Sequence, residues 1–180
     1  MFVPDLPDDL KLLRDFANSL DVEEDRDELS TPVALTAWLA ERGLVSGAEK
    51  ASAEDLSIAR RLRAGLRSTL VAHHGGEVAE AAVAELDEVA SLLPLRVAFP
   101  DGEPRLIPVA EGVRGALAGL LADVAVAQCT GSWSRLKVCP ADDCAWVFYD
   151  QSKNASRRWC SMGVCGNRTK VRAYRARSRT

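Results

Sequence analysis

The stretch CPADDCAWVFYDQSKNASRRWCSMGVC, from Cys139 to Cys165, carries four of the five cysteines of the chain in two pairs. Four residues separate Cys139 from Cys144, four separate Cys160 from Cys165, and fifteen lie between the pairs. Two such pairs joined by a short loop bring four thiolates around one tetrahedral Zn²⁺, which binds sulfur at about 2.3 Å. The spacing therefore marks Cys139, Cys144, Cys160 and Cys165 as ligands of one structural zinc. Pro140 suits a tight knuckle after the first ligand, and Trp146 to Tyr149 (WVFY) suits a strand. Cys160 and Cys165 fall at or near the start of a C-terminal helix, whose positive dipole end favours thiolate. Four sulfur ligands close the site. A catalytic zinc keeps a position for water and is often held partly by His, and the only histidines here are His73 and His74, far upstream. The site reads as structural, and the chain does not read as an enzyme.

Charge divides the chain at the same place. The net charge is −3, but residues 131–180 carry +8 and residues 1–130 carry −11. A basic segment on an acidic chain suggests a polyanionic or acidic partner. No run of eighteen apolar residues exists and the start MFVPDLPDDL has no signal-peptide pattern, so no membrane partner is expected and the chain reads as cytoplasmic. Cysteines in that compartment are poor candidates for a disulfide framework.

The first 130 residues read mainly as helix. Leu6, Leu10, Leu13, Ala17 and Leu20 recur at three- and four-residue spacing, which lines one helical face. A second helix has Thr31 as N-cap, Pro32 at its first position, apolar Leu35, Trp38 and Leu39, and Gly43 as its stop. Ser52 and Asp55 stand in capping-box spacing before a third, with Leu56, Ala59, Leu62 and Leu66, that runs to Gly75-Gly76. EVAEAAVAELDEVASLLP forms a fourth. LRVAFP and PRLIPV then read as two short strands around an Asp101-Gly102 turn, and EGVRGALAGLLADVAVAQC resumes the helical period. The fold class is mainly α with a small β-hairpin, followed by a small four-cysteine zinc-binding module made of a knuckle, short strands and a C-terminal helix. The boundary falls at about residue 131, between a 1–130 helical part and a 131–180 zinc part.

The segment CPADDCAWVFYDQSKNASRRWCSMGVCGNRTKVRAYRAR resembles the CGNR zinc-finger family, named for the tetrapeptide that stands here as Cys165-Gly166-Asn167-Arg168; the likeness covers roughly residues 135–178. Upstream, LRDFANSLD and TPVALTAWLAERG resemble the ABATE domain that precedes this finger in bacterial stress-induced transcription regulators. One departure is Ser19, where that family usually has Thr, a change that keeps the hydroxyl. The resemblance implies the same four zinc ligands together with DNA binding.

Read as a helix of roughly eighteen residues, about 27 Å long, the final segment places Arg168, Arg172, Arg175 and Arg179 on one face. Lys170 and Arg177 fall on the other side with Tyr174, and Lys153, Arg157 and Arg158 add charge from the preceding loop. Such a surface pairs with phosphates, and Arg also reads guanine edges. Asn167 and Arg168 have a second reading, as donors that brace the sulfur ligands. Elsewhere, Cys129 reads as packing on an apolar helix. His73 and His74 read as caps of a helix C-terminus. Asp15, Asn18 and Asp21 read as helix-end caps, with a polar rim to an effector pocket as the alternative. The expected function is a DNA-binding transcription regulator whose N-terminal part senses a small-molecule effector or forms a homodimer. The competing expectation is an RNA- or protein-binding adaptor using the same basic module.

Overall fold

The chain begins its core with Leu10, Leu13, Phe16 and Ala17, all buried on one face of α1 (Asp8–Ala17). The computed structural model describes residue 6, residues 8–141 and residues 143–177, and about 55% of the chain is helical. Leu20, expected on the same helix, belongs instead to β1 (Leu20–Asp21), paired with β2 (Arg26–Asp27). The helix stops because Ser19 turns its hydroxyl back onto the Phe16 carbonyl at 2.7 Å, and the chain reverses. In the reversal, Asp21 Oδ1 accepts from the N–H groups of Glu23 and Glu24 at 3.1 Å each.

The expected caps form. Thr31 Oγ1 accepts from Ala34 N–H at 3.1 Å ahead of α2 (Pro32–Glu41), and Ser52 and Asp55 close a reciprocal capping box ahead of α3 (Ala53–Thr69). A 3₁₀ turn at Leu70–His74 extends α3 and ends at Gly75, φ +83°. Then follow α4 (Glu80–Ser91) and the antiparallel hairpin of β3 (Leu95–Ala98) and β4 (Arg105–Pro108), in register Leu95 to Pro108. Asp101 and Gly102 both take positive φ in its loop, as an Asp-Gly turn should.

α5 (Gly112–Thr130) is the central helix, packed against α1, α2, α3 and β4. By length and composition it could cross a membrane, yet Leu117, Ala118 and Leu120 lie fully buried in this core. Gly115 lets the segment after β4 close onto it: a Cβ there would stand 2.4 Å from the Ala110 carbonyl oxygen. Cys129 is exposed on the last turn of α5, so the packing expected for it does not occur; the helix turns that face outward.

Gly131, φ +75°, ends α5 and sends the chain into β5 (Leu136–Val138) and β6 (Val147–Tyr149). This hairpin is built into the helical core. Trp133, Leu136, Val138 and Val147 share one buried cluster with α1, α2, α3 and α5. Its polar backbone is met from the same side. Asn18 brackets Val147, its Nδ2 donating to the carbonyl and its Oδ1 accepting from the N–H, both at 2.8 Å. His73 Nδ1 donates to the Leu136 carbonyl at 2.6 Å and His74 Nε2 to the Val138 carbonyl at 2.9 Å. Trp133 meets the His73 ring edge to face at 5.4 Å, and burial lowers the His73 pKa, keeping it a neutral donor. The two histidines therefore bind β5 rather than capping their own helix. Asn18 is likewise a bracket for β6 rather than a helix cap.

Replacing Asn18 with Ala leaves both polar groups of Val147 buried without a partner, at a cost of about 1–3 kcal/mol. Urea unfolding should show that loss as a lower midpoint; a variant as stable as the wild type would show that the bracket holds nothing.

Candidate metal centre and basic helix

β5 delivers Cys139 and the turn before β6 delivers Cys144. The knuckle is closed by Cys139 N–H to the Trp146 carbonyl at 2.8 Å and Cys144 N–H to the Ala141 carbonyl at 2.9 Å, with Ala145 at φ +50°. The second pair comes from the other end of the module. Cys160 follows the loop after β6, and Cys165 sits in a wide turn, Met162–Gly166, whose start is capped by the Ser161 hydroxyl at 3.3 Å from Val164 N. The turn runs straight into α6 (Asn167–Arg177).

All four Sγ atoms lie within 4.8 Å of one another, with Cys144 to Cys160 at 3.6 Å and Cys160 to Cys165 at 3.5 Å. A tetrahedron with 2.3 Å zinc–sulfur bonds has edges of about 3.8 Å, so the donor set fits one Zn²⁺. The four cysteines named from spacing are thus brought together, and they hold one structural zinc. Burial pushes the Cys144 thiol up to about 11 and the Cys160 thiol higher still. Burial opposes the charge of Cys139 too, yet hydrogen bonds from the Cys160 and Ala141 backbone lower its pKa, and a divalent cation would displace the protons that the raised thiols keep.

Beneath the cluster lies an ion pair the sequence reading did not single out. Lys137 Nζ, in the middle of β5, donates to Asp150 Oδ2 at 2.7 Å, to the Ala155 carbonyl and to the Arg157 carbonyl at 3.2 Å. Asp150, 0% exposed, also accepts from Ser152 N–H at 2.9 Å and Arg157 N–H at 2.8 Å. Although burial opposes its charge, Lys137 and these donors hold its pKa down at about 2. The pair fixes the loop that carries the chain from the first cysteine pair to the second. The signal in the sequence was a lone Lys in an apolar strand and an Asp opening a turn.

The predicted basic residues separate into two groups. Arg157 holds the carbonyls of Trp159 (2.9 Å) and Cys160 with its guanidinium over the Phe148 ring at 4.9 Å. Arg168 donates to Glu23 Oε1 at 2.6 Å, lies 3.3 Å from Asp143 Oδ1 and reaches Cys165 Sγ at 3.7 Å. It therefore occupies the bracing position beside a zinc ligand, tied to the turn after β1. Arg172 pairs with Asp143 at 2.7 Å but remains about half exposed. Lys153, Arg158, Asn167, Lys170, Arg175 and Arg177 are exposed, with Arg158 resting on Trp159 at 5.3 Å. None of the exposed cations Lys153, Lys170, Arg175 and Arg177 has an ion pair among the described residues. Arg179 lies outside the described residues. Asp15 pairs with Arg14 at 2.7 Å, and Arg67 joins the two parts of the chain, donating to the Ala17, Leu20 and Ala145 carbonyls at 3.1, 2.8 and 2.7 Å.

Metal analysis should find one zinc per chain. In Cys160→Ser the zinc content should fall sharply, and because β5 and β6 wall the helical core, the urea midpoint of the helical signal should fall with it. Asp150 gives a pH signature. Its folded pKa lies below the unfolded value of about 4, so its stabilisation is present above pH 4 and is lost as the pH falls towards 2. Asp150→Asn leaves Lys137 buried without its charge partner and should cost about 3–5 kcal/mol near neutral pH. The gap between variant and wild type should narrow as the pH falls from about 4; a constant gap would mean the carboxylate is unpaired.

Comparison with known families matches both parts. The CGNR zinc finger matches residues 135–178, and ABATE, described as a putative stress-induced transcription regulator, matches residues 10–131. No curated protein matches the chain. The chain therefore belongs to the ABATE family and carries a C-terminal CGNR zinc finger.

Proposed function

We propose that this chain is a cytoplasmic DNA-binding transcription regulator in which α6 is laid against the phosphate backbone, while the 1–130 part senses an effector or joins a second copy. The observation that carries the reading is α6 itself: it buries none of its residues and turns Lys170, Arg175 and Arg177 to solvent on a chain of net charge −3. Its eleven described residues span about 16 Å, enough to lie in a major groove about 12 Å wide. Arg158 and Lys153 extend the positive surface from the loop, Arg172 joins when Asp143 releases it, and Asn167 stands at the helix start. Arg168 and Arg157 hold the module together in this reading. A four-sulfur zinc keeps no position for water, which supports binding over catalysis.

Duplex DNA titrated at several salt concentrations tests it. With roughly five phosphate contacts, raising salt from about 50 to 200 mM should weaken binding several hundredfold. Replacing Lys170, Arg175 and Arg177 with Ala should flatten the log–log slope by nearly three units and leave zinc content unchanged. Arg168→Ala should instead loosen zinc about 10–100-fold. An unchanged slope in the triple variant would remove α6 from the interface. Tighter binding to RNA of the same sequence would favour the adaptor reading.

A further inference from the structure

Between α1 and β6 runs an open groove of about 410 Å³, on the seam where the helical part meets the zinc module. Its charge is unlike that of the helical part as a whole. Arg14 stands on one bank and Arg157 on the other, with Asp15 the one acidic residue among the described residues that line it. Arg14 spends Nε and Nη2 on Asp15 Oδ1, at 2.9 and 2.7 Å. Arg157 spends Nε and Nη2 on the Trp159 and Cys160 carbonyls. The Nη1 edge of each guanidinium has no hydrogen bond among the described residues. Between them lie the exposed Trp146, the half-buried Tyr149 and the exposed Gln151, whose side chains also have no hydrogen bond among the described residues. The groove thus offers donors from both banks and aromatic surface between them, a lining suited to a flat anion.

We propose that this groove binds a small planar aromatic carboxylate, the carboxylate shared by Arg14 and Arg157 and the ring lying along Trp146 and Tyr149. This names the effector site of the sensing part of the reading above and rests on it. The position explains how occupancy reaches the metal module. The guanidinium that meets the ligand also holds the backbone of Cys160, a zinc ligand, and the groove floor is the strand that Asn18 brackets. A ligand joining the two arginines would tie α1 to the loop between the cysteine pairs, stiffening the joint from which α6 projects.

Calorimetry on the full-length zinc-loaded protein tests the proposal, with 2-naphthoate as the probe. Saturable binding of one naphthoate per chain is expected, with cyclohexanecarboxylate and inorganic phosphate each at least about tenfold weaker. Arg14→Gln removes one charge-assisted contact and should weaken naphthoate about tenfold; Gln151→Ala should weaken it severalfold, both with wild-type zinc content and helical signal. Heat without saturation, phosphate binding as well as naphthoate, or two variants of wild-type affinity would overturn the proposal. Because the cell contains no DNA, such a failure leaves the DNA reading to its own salt titration.

Discussion

Strands of three residues are too short to form a stable sheet in water, yet the turn that joins β5 to β6 carries the first two zinc ligands. The rest of the structure depends on how that hairpin is held. At one end the sulfur cluster clamps it; along one face Leu136, Val138 and Val147 enter the helical core. The carbonyls of Leu136 and Val138 and both polar groups of Val147 are met by His73, His74 and Asn18. Metal and core therefore support one element from two sides. Loss of either exposes the surface that the other covers.

Charge is arranged on the same plan. The buried Lys137–Asp150 pair contributes more to loop geometry than to stability, because desolvation offsets much of its attraction; its value is that Asp150 also gathers the N–H groups of Ser152 and Arg157. The guanidinium of Arg157 then passes that order to Cys160. At the opposite side of the cluster Arg168 links Cys165 to Glu23, so an acidic turn of the helical part helps to set the root of the basic helix. What remains exposed, with no ion pair among the described residues, is the set of cations Lys170, Arg175 and Arg177 on α6. A solvated helix of this size gains little from its own propensity, and a polyanion would supply the charge it lacks.

Much of the architecture was legible from local pattern. The four zinc ligands, the caps at Thr31 and Ser52, the hairpin at Asp101-Gly102 and the helical character of the first 130 residues all follow from spacings of a few residues, because ligand knuckles, caps and turns close within one or two turns of chain. Local pattern also set the limit. Leu20 kept the helical period but lies beyond the point where Ser19 turns the chain, and Cys129 sat on an apolar helix whose outward face a one-dimensional pattern could not identify.

The sequence by itself determined which atoms bind the metal, where α2 and α3 are capped and where the basic charge lies. Tertiary structure alone decided which polar residues join the two parts. Asn18 meets a partner 129 positions away, His73 and His74 meet partners 63 and 64 away, and Arg168 meets Glu23 at a separation of 145. Asn and His can each satisfy a cap, a solvent shell or a distant carbonyl equally well in chemical terms. Only the packing of α5 and the hairpin, which removes water from those carbonyls, selects among them, since an unpaired buried carbonyl costs more than any local alternative gains.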